Sequence, residues 1–214
     1  NNFKTLDAKA FQKTIAGSES LFFPKDTIVF EENQQLNKLY CIKKGACKFS
    51  TLDKTGQEHI LRFLGEGDIM GKRSIISNEG AKVSATALTD TIVCSIDKSD
   101  ILENIKVNTT FCNDLLNALV EDVNINEHTR IIFCVHKGMK QRLASLLIYL
   151  SEKFGQDDKG KLLIQIKRED MAAVLGTSQE YIINLLARFK ALGLLGVQGR
   201  NLILSSKDEL AKLI

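Results

Sequence analysis

The sequence predicts an α+β fold: a β-roll or sandwich, then one long helix, then a helix-turn-helix with a β-hairpin wing. Three observations predict it. Between residues 21 and 96, short β runs alternate with closely spaced glycine turns. Residues 109–135 contain no Gly or Pro. Residues 168–192 read as two short helices joined at Gly176. Strands that precede helices, rather than alternating with them, favour an antiparallel architecture over a parallel sheet.

The elements follow in order. Residues 1–16 form an amphipathic helical lead on Phe3, Leu6, Phe11 and Ile15. The β runs are 27–30, 39–42, 46–52, 58–64, 83–87 and 91–96. Lys43-Lys44-Gly45, the Asp53…Gly56 hairpin, residues 65–68 and Gly71 supply turns. The helical period then begins near residue 98. Within 109–135, Cys112, Leu116, Leu119, Val123, Asn126, Arg130 and Phe133 recur at alternating spacings of four and three. That is the seam of a two-stranded coiled coil and predicts a homodimer. An adjacent row, Phe111, Leu115, Ala118, Ile125 and Ile132, faces the β domain. Asn126 and Arg130 are polar in an apolar seam, which costs stability and has one reason in setting the dimer's register.

Gly138 breaks the long helix and marks a hinge at Lys137–Gly138. A helix over 139–154, a polar loop over 155–160 and a short strand over 162–166 lead into the helix-turn-helix. There Ala172 and Ala173 are small where two helices cross, Gly176 turns the chain, and Ile182, Leu185 and Leu186 form a buried stripe. Residues 194–197 and 202–204, joined by a turn at 198–201, form the wing. The expected domains are 1–107, a sensing β-roll; 108–137, a dimerisation helix and hinge; and 138–214, a winged helix-turn-helix.

A helix-turn-helix places its second helix in a DNA major groove, so double-stranded DNA is the expected partner. Charge agrees: residues 1–136 carry a net −2 and residues 137–214 a net +5. A dimer also suits two half-sites one helical turn apart.

Other classes are disfavoured. No apolar run approaches the roughly 18 residues of a membrane span. No signal peptide is read at Asn1, and the absent initiator Met suggests a trimmed chain. Five cysteines, Cys41, Cys47, Cys94, Cys112 and Cys134, form no CxxC pair. Reduced, largely buried thiols in a cytoplasmic protein are expected, with no metal site. There is no nucleophile elbow, phosphate loop or HExxH, so no catalysis is expected.

The order of elements, with Gly45, Asp53…Gly56…Glu58, Leu61, Leu64 and Gly67-Asp68…Gly71 in the roll, resembles the bacterial cyclic-AMP receptor protein / fumarate-nitrate reduction regulator family. Arg168-Glu169, Ala172, Leu175-Gly176-Thr177-Ser178, Glu180 and Leu192-Gly193-Leu194-Leu195 resemble its DNA-binding signature. The resemblance spans nearly the whole chain. It implies a cyclic-nucleotide-binding-type β-roll, a homodimer, a transcription regulator, and RNA polymerase as a further partner.

Two departures matter. Cyclic-AMP-binding relatives place a glutamate after the conserved glycine and an Arg-Ser pair about ten residues on. Here Lys72 follows Gly71, and the later stretch is Ala81-Lys82-Val83-Ser84. The expected effector residues are Gly71, Lys72, Arg73, Ser74, Lys82, Ser84, His128 and Arg130, which suit a small anion other than cyclic AMP or line a vestigial pocket. In the recognition helix, Gln179 and Asn184 stand where many relatives have arginine, and Glu180 remains. Gln and Asn suit adenine, and Glu accepts from cytosine. Arg168, Thr177, Ser178, Arg188 and Arg200 are the expected phosphate contacts. The alternative reading is a sensor that acts through protein contacts.

Overall fold

The computed structural model describes residues 18–134 and 138–214, and for residues 128 and 130–134 it describes the backbone alone. The helical lead, the side chains of His128, Arg130, Ile132, Phe133 and Cys134, and Lys137 of the hinge lie outside the described residues. The chain divides into two compact units, residues through 52 with 62–126, and residues 53–61 with 127–214.

The six β runs are strands, and two strands outside them join, the first and sixth in the series β1 (Glu19–Phe23), β2 (Ile28–Phe30), β3 (Lys38–Lys44), β4 (Cys47–Leu52), β5 (Glu58–Leu64), β6 (Ile69–Met70), β7 (Ser84–Ala87) and β8 (Thr91–Asp97). They form two four-stranded sheets, in the orders β1-β8-β3-β6 and β2-β7-β4-β5. β1 pairs β8 antiparallel from Glu19↔Ser95 to Phe23↔Thr91. β3 pairs β8 from Lys38↔Asp97, with an irregularity after Ile42. Phe30, Leu39, Ile42, Leu64, Ala85, Val93 and Ile96 are buried and make one core with Met70.

Gly45 shows why the roll needs glycine between β3 and β4. Its φ is +97°, and a Cβ there would lie 2.6 Å from the Asp90 carbonyl oxygen and 2.7 Å from the Thr91 hydroxyl. The β4–β5 hairpin turns on Asp53. Its carboxylate accepts from the Thr55 amide (2.8 Å) and hydroxyl (2.6 Å) and from the Gln57 amide (3.1 Å).

Between β6 and β7 the chain makes a six-residue helix, α1 (Lys72–Ser77), entered at Gly71 with φ 88°. α2 (Lys98–Val107) and α3 (Thr109–Cys134) follow β8. Ile101 of α2 and Phe111 and Leu115 of α3 complete the core, and Ala118 is buried as well. On α3, Leu116, Val120 and Val123 are 53%, 59% and 54% exposed.

In the second unit, α4 (Met139–Phe154) buries Leu143, Leu146, Leu147 and Leu150 on one stripe. α5 (Arg168–Leu175) and α6 (Gln179–Ala191) form the helix-turn-helix. β9 (Leu195–Gln198) and β10 (Asn201–Leu204) form the wing, in register from Asn201↔Gln198 to Leu204↔Leu195. α7 (Lys207–Ala211), capped by Ser206, packs with α4.

The strand expected over 162–166 is not a strand. Two isolated bridges hold the chain here, Gln156↔Leu162 and Lys161↔Ile203. Leu162, Ile164 and Ile166 still alternate inward. Apolar alternation created the expectation, but pairing is confined to these bridges before the chain reaches α5.

Candidate nucleic-acid interface

The turn of the helix-turn-helix is built residue by residue. α5 carries Glu169 and Asp170 in its first turn, where carboxylates face the positive end of the helix dipole. It ends at Gly176, left-handed at φ 66°, and the Thr177 amide donates back to the Ala172 carbonyl at 3.1 Å. Ser178 then caps α6: its hydroxyl accepts from the Tyr181 amide at 3.2 Å. Glu180 lies in the first turn of α6, and Arg188 and Lys190 in the last. Gly193 closes the helix with a left-handed φ of 73°.

α6 divides cleanly. Ile182, Leu185, Leu186 and Phe189 are buried. Gln179, Glu180, Asn184 and Arg188 are all exposed. The structure therefore brings the three base-reading candidates and one phosphate candidate onto the free face of one helix. Thr177 and Ser178 lead into its N-terminus, and Ser178 is exposed. Arg200 is exposed at the tip of the wing. Arg168 is half-buried at the start of α5, and that burial pulls its guanidinium pKa below the usual arginine value. The sequence reading left out Tyr181 and Ile183, both exposed on α6. Their apolar character gave no base-reading signal in a list built from polar side chains.

The interior of the roll departs further from expectation. Lys72 is buried, and its ammonium lies 2.8 Å from Asp122 Oδ2. It also donates to the Ala118 carbonyl at 3.4 Å. The other carboxylate oxygen of Asp122 accepts from Arg62 Nη1 at 3.0 Å. The Lys72 and Arg62 side chains are 3% and 5% exposed, and that of Asp122 is 26% exposed. The Arg62 guanidinium also lies 5.7 Å from the centre of the Phe49 ring. One carboxylate on α3 thus serves two buried cations, one from β5 and one from α1.

Of the other described effector candidates, Ser74, Lys82 and Ser84 have partners of their own, apart from Asp122. Arg73 faces solvent, as does Lys82, which pairs with Glu79 at 3.1 Å. The Ser74 hydroxyl donates to the Glu79 carbonyl. The Ser84 hydroxyl accepts from the Glu32 amide at 3.0 Å. Gly71 serves as the cap of α1.

Arg62 and Asp122 were missed from sequence, yet both left a signal. Arg62 lies between Ile60 and Leu64 on the inward side of β5. Asp122 falls in the seven-residue step from Ala118 to Ile125 of the row Phe111, Leu115, Ala118, Ile125, four residues after Ala118 and three before Ile125, where a carboxylate interrupts an apolar face.

The cysteines behave as structural thiols. Cys41, Cys47, Cys94 and Cys112 are free. Burial pushes the Cys47 thiol up to about 12, against a hydrogen bond with Thr91 that lowers it. Among the described residues, no helix is long and apolar enough to cross a membrane.

Comparison with known proteins fits both halves. Residues 20–108 match the cyclic nucleotide-binding domain, and residues 141–213 match the Crp-like helix-turn-helix domain. The chain is 24% identical over 212 residues to a CRP-like cAMP-activated global transcriptional regulator of Mycobacterium tuberculosis, covering 98% of this chain and 94% of that protein. It is 28% identical over 191 residues to the fumarate and nitrate reduction regulatory protein of Escherichia coli, covering 88% and 76%. Among solved structures, FixK2 from Bradyrhizobium japonicum superposes with a TM-score of 0.81 at 21% identity, over 92% of this chain and 96% of that one. A roll matching one family domain, a helix-turn-helix matching the other, and regulators aligned with most of the chain lead to one conclusion: the chain belongs to the cyclic-AMP receptor protein / fumarate-nitrate reduction regulator family of transcription regulators.

Proposed function

We propose that this regulator acts as a homodimer that reads a two-fold DNA operator through α6. Residues 1–107 serve as a sensing roll, 108–137 as dimer helix and hinge, and 138–214 as the DNA-binding domain. The observation that carries the reading is the divided face of α6, with Gln179, Glu180 and Asn184 exposed opposite a sealed apolar stripe. The exposed row Leu116, Val120 and Val123 supports a partner helix against α3. As a regulator of transcription, it has RNA polymerase as its third partner.

The chemistry of the readers favours adenine at the bases facing Gln179 and Asn184, and cytosine at the base facing Glu180. Selection of duplexes from a randomised pool tests this. A two-fold site rich in A·T at the read positions is expected. A guanine-anchored TGTGA-like half-site would contradict the assignment, and the absence of any salt-sensitive preference would contradict DNA reading itself.

Cyclic AMP in the usual mode is not the effector of this reading. An ammonium stands where the resemblance calls for the carboxylate that accepts from the ribose, and Asp122 already neutralises it. That pairing favours a second reading, in which the roll acts without an effector. Native mass spectrometry of the full chain with millimolar cyclic AMP is expected to show no adduct that survives competition by inorganic phosphate. A stable one-to-one nucleotide complex would reverse this reading.

A further inference from the structure

We infer that Ile183 is a specificity-determining residue of the recognition helix, reading a thymine by contact with its C5-methyl group. The inference rests on the proposal that α6 enters the major groove.

The placement carries it. At about 100° per residue, Gln179, Ile183 and Ala187 form one row on α6, and Glu180, Asn184 and Arg188 form the next. The second row faces away from the buried stripe of Ile182, Leu185, Leu186 and Phe189, and the first leaves its border at Gln179 and turns outward through Ile183 to Ala187. Ile183 is 47% exposed. A lone exposed isoleucine is ordinary on a protein surface. This one lies in the row of the recognition helix between Gln179 and Ala187, with Asn184 beside it. Helix propensity does not explain it, because β-branched residues are poorer helix formers than the Lys, Gln or Glu usual on a free face.

The major groove offers one apolar feature, the thymine methyl, and apolar side chains recognise it by contact. Ile183 supplies a branched apolar tip, and Ala187, one turn on, is small enough to let the helix approach the base edges. The row therefore pairs a candidate adenine reader, Gln179, with a candidate thymine reader. A polar side chain at position 183 would accept several bases; a branched apolar one gains only where a methyl group stands.

The test uses the full chain and a duplex recovered by selection. Each thymine of one half-site is replaced in turn by deoxyuridine, which removes only the methyl. At one thymine the wild-type affinity is expected to fall roughly fourfold, the worth of one buried methyl group. The Ile183→Ala variant is expected to keep its thermal stability, bind the thymine duplex about fourfold less tightly, and show no penalty for that same replacement. Wild-type affinity unchanged at every thymine, or a penalty that persists in Ile183→Ala, overturns the inference and leaves the DNA-binding reading intact. Failure of the wild type to enrich any duplex overturns both.

Discussion

Asp122 offers one oxygen to Arg62 and the other to Lys72, and both cations are buried. Removing the carboxylate leaves two buried cations without their shared counter-ion, whereas removing one cation leaves a one-to-one pair. Asp122→Ala is therefore expected to lower the unfolding free energy by about 3 kcal/mol, and Lys72→Met by less than about 1 kcal/mol. Urea titrations followed by circular dichroism check the contrast, and equal losses would show that the cluster is not coupled. Cys47 makes a pH prediction. Its folded thiol is raised to about 12 from an ordinary value of 9.0. Between those values the folded state holds a proton that the unfolded state has released. Stability is thus complete below about 9 and falls as pH rises toward 12. Cys47→Ser removes this part of the alkaline slope, measured by urea midpoints from pH 8 to 11. At this scale the sequence was partly legible. Inward positions on β5 and α3 followed from spacing, but which charge on one met which on the other depends on strands and helices distant in the chain.

The elements of the helix-turn-helix owe their boundaries to single residues. Gly176 turns the chain at φ 66° with open space where a Cβ would stand, so Gly176→Ala carries only the left-handed backbone cost of about 1 kcal/mol. Ser178→Ala removes the cap on the Tyr181 amide and costs about 1 kcal/mol. Thermal unfolding at 222 nm checks both, and a loss above about 3 kcal/mol at Gly176 would show packing there that the open space excludes. Such elements were legible because their signals are local: a cap, a turn glycine, an apolar stripe. α1 and α7 were not, since six and five residues are too few to show a helical period. β6, with two residues, is defined by its partner β3 rather than by its own pattern. Over 162–166 a clear alternation over-predicted a strand, because burial alternates there without a continuous partner.

For the whole molecule, the exposed row on α3 and the free face of α6 support the proposed dimer, in which two chains join along α3 and present two recognition helices to one duplex. Leu116→Glu with Val123→Glu places like charges along the seam and is expected to shift the chain to monomer in sedimentation, with loss of tight operator binding. A double variant that stays dimeric would place the interface elsewhere. The most direct test of the central claim is the stoichiometry and salt dependence of the full chain on a selected operator. The account predicts two chains per duplex. It also predicts that log Kobs falls linearly with log salt at a slope of about −5, if Arg168, Arg188 and Arg200 of both protomers each neutralise one phosphate. One chain per duplex, or a slope near zero, would contradict it.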